Sequence, residues 1–452
     1  MICTLIFDIG KTNKKYFLFD ENYKVIEQEA RQFEELKDED GFPCDDLNRI
    51  SAWVKDCIRQ IIIDKKYPVK TINFTTYGAS FVHLDQAGKP LTPLYNYLKP
   101  IPDAIVKSFH AKYGDPLIFA GQTASPSLGM LNSGLQLYWL KYTQPEIFNK
   151  IRWSLHFPQY LSFLITGIPL SEYTSIGCHT GLWDFEKKDY HQWVYAEKID
   201  RILAPVVPAS VSINKKIGKI PVKIGVGIHD SSAALVPYRK AESHPFLLLS
   251  TGTWSIGLNS FDATFLTKED LEQDCLLYMT PAGEPVRAAR LFLGREYQVQ
   301  IEAMHGFFNC DDKAHQQVAV NEKLYEQLQK NYERYFSFKA IQLERTQPDH
   351  SSLKSFRQFE DAYHQLMLEL VEYQIQVIQR AEGKRSLEKI YIDGGFVDNT
   401  HFVYLLTRHF YQKKWRTTRS SIGTALGAAL VISDKKLPEN FLETHFKRKS
   451  IR

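Results

Sequence analysis

The sequence predicts an α/β protein built from two halves that share one plan. Three observations predict it. The stretches "LIFDIGKTNKKYFLF" (5–19) and "LLLSTGTWSIGLNSF" (247–261) each read as a buried strand, a tight turn carrying glycine and threonine, and a second strand. Apolar strand runs pass through glycine turns into helical periodicity at 219–236 and 387–399. The length of 452 residues allows two or three domains. A doubled hairpin at that spacing suggests a duplicated unit, with both turns able to close on one ligand between the halves.

The elements follow in order. Residues 4–9, 16–20 and 24–30 form a meander. Leu47, Ile50, Val54, Cys57, Ile58 and Ile61 recur at helical spacing over 47–64. "TINFTTYGAS" (71–80) is a strand ending in a glycine turn, and "FVHLDQAGKPL" (81–91) reads as a hairpin. Residues 132–143 and 145–166 are expected to be helical, with Pro145 at a helix start. "KIPVKIGVGIHDSSAALV" (219–236) switches from strand to a small-residue helix. The polar, proline-bracketed "PYRKAESHP" (237–245) marks the boundary, giving domains 1–238 and 239–452. In the second half a long helix is expected at 360–381, with Tyr363, Leu366, Met367, Leu370, Val377 and Ile378 on one side and Gly383 ending it. "LEKIYIDGGFVDN" (387–399) is a strand entering a Gly-Gly loop, and "IGTALGAAL" (422–430) is a small-residue helix.

Composition narrows the function. The chain is 44% hydrophobic and 24% charged, as an ordinary soluble globular protein is. The net charge of +4 is spread out, and the only basic run is Lys447-Arg448-Lys449, so neither nucleic acid nor membrane is an expected partner. No apolar run reaches the ~18 residues of a membrane span. Six scattered cysteines and an N-terminal apolar stretch broken by Asp8 predict free thiols in the cytoplasm.

Several residues are placed to do chemistry. Gly10-Lys11-Thr12 is not a P-loop, because Leu5 stands where that motif needs glycine and a strand follows instead of a helix. Gly10, Thr12 and Asn13 in one turn, and Gly252 and Thr253 in the other, offer backbone N–H groups and hydroxyls suited to phosphate oxygens. Lys14 or Lys15 would add charge, and Asp8 would hold Mg²⁺ through water. Each turn alone also reads as a plain polar hairpin; the echo between them favours phosphate. Asp230 reads either as a helix cap or as a general base at the C-terminal end of a strand. Gly394 and Gly395 allow close backbone approach to a ligand, and Asn399 can read a purine edge; a tight strand-to-helix turn is the other reading.

In this order and spacing, from about residue 4 to 432, these pieces resemble the FGGY family of carbohydrate kinases within the actin-like ATPase superfamily. The first turn matches D-x-G-[TS]-x-[SN]-x-[KR] as Asp8, Gly10, Lys11, Thr12, Asn13 and Lys15, with Lys11 in place of the usual small residue. Gly227-Ile228-His229-Asp230 matches the family's G-x-H-D, and Ser250 to Trp254 its second phosphate turn. Asp393-Gly394-Gly395 with Asn399 matches the adenosine segment, and "TTYGASFVHLDQAGKPL" the sugar-side segment with its Gly78. "STGTWSIGL", "LTKEDLEQDCLLY" and "GEPVRAARLFLGREY" are most similar to the rhamnulokinase branch, with fuculokinases next. Arg290-Leu291 and "YNYLKP" depart from the family pattern.

The resemblance implies two ribonuclease-H-like domains with ATP in the cleft between them. Thr12, Asn13, Lys15, Gly252 and Thr253 would face its phosphates, with Gly394, Gly395 and Asn399 at the adenosine end. Mg²⁺ would bridge phosphate oxygens with Asp8 as outer partner. A ketose, L-rhamnulose or L-fuculose first, would sit near Gly78 and His229, and Asp230 would be the catalytic base. A kinase for xylulose, ribulose or glycerol, a non-catalytic ATP-binding regulator and an actin-like or chaperone ATPase are the alternatives. Monomer and homodimer both stay open.

Overall fold

The computed structural model describes residues 2–339, 341, 350–419, 422–446 and 449–451. In the first half, strands β1 (Cys3–Ile9), β2 (Lys14–Phe19) and β3 (Val25–Arg31) form an antiparallel meander. Helix α1 (Leu47–Arg59), capped by the Asp46 carboxylate on the Arg49 N–H, covers the sheet through Ile50, Val54, Cys57 and Ile58. Strand β4 (Val69–Thr76) then returns parallel to β1. Helix α2 (Phe157–Thr166) packs beneath β4. Strands β5 (Ser212–Ile217) and β6 (Ile220–Gly225) form a hairpin, and β6 and β7 (Ile228–His229) both run parallel to β4.

Helix α3 (Asp230–Ala241), with Pro237 inside it, leads from β7 into the second half. Its first residues fall at the strand's end because Asp and Ser favour the first helical turn. The second half repeats the plan. Strand β8 (Phe246–Thr251) is antiparallel to β9 (Ser255–Asn259); β10 (Cys275–Met279) and β11 (Pro285–Leu291) complete the antiparallel side. Helices α4 (Leu293–Phe308) and α5 (Phe359–Glu382) pack on this sheet. Strands β12 (Lys389–Gly394) and β13 (Lys414–Thr418) lie parallel to β8, with helix α6 (Thr400–His409) between them in sequence. Helix α7 (Gly423–Val431) and strand β14 (Lys449–Ile451) follow, the latter antiparallel to β13. In both sheets the first strand is central, with its hairpin partner antiparallel on one side and a later strand parallel on the other.

Small residues join the halves. Helix α7 crosses α3 and also packs on β1 and β4. A Cβ at Gly427 would overlap the Ala233 carbonyl, so the crossing is backbone on backbone. Asn73 of β4 donates to the Ala428 carbonyl at 2.8 Å and accepts from the Gly227 N–H at 3.1 Å, pinning α7 and the β7 approach together.

One expectation is corrected. Residues 145–166 are not one helical stretch: after a short turn of helix at Pro145–Phe148, Trp153–His156 is a strand antiparallel to Phe81–Leu84. The hairpin expected at 81–91 forms on the other edge of the same strand, with the Asp85 N–H donating to the Lys89 carbonyl at 2.9 Å, the Leu91 N–H to the His83 carbonyl at 2.8 Å, and a bridge from Leu84 to Pro90. Phe81 and His156 stack with centroids 3.9 Å apart, so the ribbon is fixed by contacts distant in sequence.

Candidate functional site

The first turn closes through the Gly10 N–H to the Asn13 carbonyl at 3.0 Å. Thr12 and Asn13 are exposed. Asp8 and Lys15 stand opposite each other on β1 and β2, so their side chains share one face. Lys14 turns the other way: its ammonium is buried and bonds Asp45 Oδ1 at 2.7 Å. Lys11 reaches the same carboxylate at 2.8 Å, and Tyr77 donates to it at 2.7 Å. Asp8 accepts from the Thr424 hydroxyl of α7 at 2.6 Å, so the end of β1 is tied to the second half. Burial first, and then the nearby Asp230 charge, push the Asp8 carboxyl up to about 6.

Asp230 opens α3 at the C-terminal end of β7, beside the ends of β4 and β1. Its Oδ1 accepts from the Ser231 N–H at 2.6 Å and lies 3.1 Å from His229 Nε2. The same His229 nitrogen is 3.2 Å from Cys178 Sγ. Burial pushes the His229 pKa down, so the ring is neutral near pH 7. Nε2 thus faces the Asp230 carboxylate and bonds the Cys178 thiol. Nδ1 is buried without a partner among the described residues. Its backbone is held too: Glu172, fully buried, bonds the Thr174 hydroxyl, which accepts from the His229 N–H at 3.0 Å. Gly78 lies against this group, where a Cβ would come within 2.9 Å of Cys178 Sγ and 3.0 Å of His229 Nε2. Gly78, His229 and Asp230, separated in sequence, therefore meet.

The second turn opens a cleft of about 590 Å³ lined by Gly252, Thr253, Tyr297, Phe396 and Asn399, among others. Gly252, Thr253, Gly395 and Asn399 thus come together. Gly394 does not line the cleft; it has φ +94°, and a Cβ there would overlap the Thr251 carbonyl, so its role is to let β12 and β8 approach. The Asn399 amide is committed within the protein, with Oδ1 capping α6 on the Phe402 N–H at 3.0 Å and Nδ2 donating to the Tyr363 hydroxyl at 3.0 Å. Gly294 seats α4 on the turn: its N–H donates to the Thr253 carbonyl at 3.1 Å, and a Cβ would overlap the Gly252 carbonyl.

Sequence reasoning missed Cys178, Gly294 and the cleft rings Tyr297 and Phe396. Only the run "IGCHTG" (176–181) hinted at the first, and the alternating apolar spacing of α4 hid Tyr297. Among the described residues no group of three or more His, Cys, Asp or Glu side chains is arranged to hold a metal ion, and no helix is long and apolar enough to cross a membrane.

The N-terminal domain profile of the FGGY family of carbohydrate kinases matches residues 3–235, and the FGGY carbohydrate kinase C-terminal domain profile matches 243–440. A rhamnulokinase of Halalkalibacterium halodurans is 26% identical over 273 residues, which is 57% of this chain and 56% of that protein. One of Oceanobacillus iheyensis is 25% identical over 269 residues, 56% and 55% of the two chains. The matched stretch thus spans about half the length of these curated relatives. Two solved structures share the fold. A carbohydrate kinase from Novosphingobium aromaticivorans has a TM-score of 0.77 at 24% identity, over 95% of this chain and 93% of that one. A ligand-bound xylulose kinase from Lactobacillus acidophilus has 0.80 at 14% identity, over 100% and 93%.

Proposed function

The chain belongs to the FGGY family of carbohydrate kinases, and from that premise we propose that it transfers the γ-phosphoryl group of ATP to a hydroxyl of a ketose. The observation that carries this is one meeting point. Asp8 near the end of β1 bonds Thr424 of the second half at 2.6 Å, and Asp230 follows His229, which pairs with the same Thr76 of β4 that pairs with Ile9 of β1. Asp230 takes the proton of the attacking hydroxyl. His229 and Gly78 stand at the sugar side, where the absence of a side chain at Gly78 lets its turn pack against Cys178 and the His229 ring. Thr12, Asn13, Lys15, Gly252 and Thr253 hold phosphate oxygens. The base lies in the cleft against Tyr297 and Phe396, whose rings touch edge to face at 5.3 Å, with Gly395 and Asn399 at its wall. The boundary between the two working halves is taken at 238/239.

Asp8 fits Mg²⁺ that arrives on the nucleotide. It is a carboxylate without a metal-binding cluster around it, and its ionisation is penalised by burial until a cation is near. Asp8 would hold the ion through water, and the ion would neutralise phosphate charge. Closure of the halves would exclude water and limit ATP hydrolysis.

L-Rhamnulose is the first acceptor and L-fuculose the second, supported by the curated relatives and the sequence runs that resemble them. A kinase for xylulose, ribulose or glycerol is the second reading, favoured by Arg290-Leu291 and "YNYLKP". We place the protein in the cytoplasm, where its six unpaired cysteines stay reduced. The test is ATP consumption, read by ADP formation, with Mg²⁺ and L-rhamnulose, L-fuculose, D-xylulose, L-ribulose or glycerol. L-Rhamnulose is expected to respond most strongly. Silence across the panel with ATP still bound would replace the kinase by a nucleotide-binding regulator.

A further inference from the structure

Arg290 occupies the ground between the two parts of the site. It is buried near the end of β11. Through the β10–β11 register it shares a face with Ala288 and Val286, which lie opposite Leu276 and Tyr278. That face belongs to the core that contains Ala233 and Leu235 of α3, the helix that begins at Asp230. The Tyr278 ring stands 5.6 Å from the His229 ring and 6.1 Å from the His179 ring. On its other side the Arg290 guanidinium lies over the Trp254 ring at 5.2 Å, and Trp254 belongs to the second turn. Trp254 stacks on Phe292 at 4.4 Å, so this platform is ordered. The charge of Arg290 is felt at Cys178 and His179, on the sugar side proposed above, where it favours the thiolate and disfavours the imidazolium.

The guanidinium is paired with Asp274, Nη2 to Oδ1 at 2.7 Å and Nε to Oδ2 at 3.2 Å. That pair uses one edge of the fork and leaves Nη1 outside it. Asp274 holds φ +56°, which an aspartate adopts at some cost, and its side chain is 32% exposed. Water can therefore take over the carboxylate when the arginine leaves.

We propose that Arg290 is a further catalytic residue of this chain, whose guanidinium turns from Asp274 to hydrogen-bond the phosphoryl group in flight between ATP and the acceptor hydroxyl. This rests on the kinase reading above. In the step, the bond between the γ-phosphorus and its bridging oxygen breaks and that electron pair leaves on ADP. The acceptor oxygen forms the new bond to phosphorus and gives its proton to Asp230. Arg290 gains and loses no proton; it donates N–H bonds to the equatorial oxygens, where charge is spread in the transition state.

The test measures MgADP affinity of the full chain with and without aluminium fluoride, which forms a planar mimic of the transferring group, and kcat with the best acceptor. Wild type is expected to bind MgADP at least ten times more tightly with fluoride present. Arg290→Met should bind MgADP alone as wild type does, lose that gain, and lower kcat by about a hundredfold with little change in either KM. Arg290→Lys should keep part of both. Asp274→Asn, which frees the arginine without removing it, should keep the gain. A full fluoride gain in Arg290→Met overturns the inference, as does an equal loss in Asp274→Asn, which would make the ion pair itself the relevant feature. Should wild type show neither turnover nor fluoride gain, the kinase reading fails and the inference falls with it; should wild type and Arg290→Met show both alike, the inference fails alone.

Discussion

Replacing Asp8 by asparagine is expected to stabilise the fold at pH 8 while removing activity. The folded protein raises this carboxyl from 3.8 to about 6. The native state therefore binds the proton more tightly than the unfolded chain, and stability falls as pH rises through the window from about 4 to about 6. A rise of about two units corresponds to about 3 kcal/mol, and water at this half-buried site reduces that to about 1–3 kcal/mol. Asparagine keeps an oxygen for the Thr424 hydroxyl, which bonds Oδ2 at 2.6 Å, and carries no charge to desolvate. Urea unfolding of both proteins between pH 4 and pH 8 is the assay. The variant should be more stable by about 1–3 kcal/mol at pH 8, with the difference vanishing near pH 4. A variant less stable than wild type at pH 8, or a difference that does not change with pH, would refute the reasoning.

Four other substitutions test separate parts of the site. Asp230→Asn should lower turnover by about two to four powers of ten with ATP affinity unchanged, read by steady-state kinetics and nucleotide titration. Gly78→Ala places a methyl 2.9 Å from Cys178 Sγ and should raise the sugar KM about tenfold or more; adding Cys178→Ala should restore part of it in a double-mutant cycle. Gly294→Ala drives a methyl into the Gly252 carbonyl and should weaken ADP binding by about tenfold or more in calorimetry, leaving sugar affinity as it was. Gly427→Ala forces α7 off α3 and should cost about 1–3 kcal/mol of stability, seen as a lower melting temperature.

The two hairpins were legible because everything that makes them is local: alternating buried positions, then glycine and threonine in a turn. The strand Trp153–His156 was not, because its partner lies about seventy residues earlier and its own sequence continues a helical pattern on both sides. The site divides in the same way. Asp230, His229 and Asp8 announce themselves at strand ends, where parallel sheets gather ligands. Lys14 reads, like Lys15, as a charge for phosphate, and only Asp45, brought in by the start of α1, shows why it turns away and is buried. Gly394 reads as a ligand contact, yet the Thr251 backbone explains it. Arg290 and Cys178 come from different halves, and no spacing in the chain relates them.

The contact between Gly427 and Ala233 has a mechanical consequence. At that point the two helices touch through their backbones, with no side chain to compress between them. Such a joint resists sliding and separation but allows rotation about the point of contact. Any swing of one sheet against the other would have to turn about this joint, and the Asp8–Thr424 bond, within one turn of it on α7, would move least. The closure proposed above would thereby keep the chemistry at the still centre of the motion and carry the substrates' entrances on its rim.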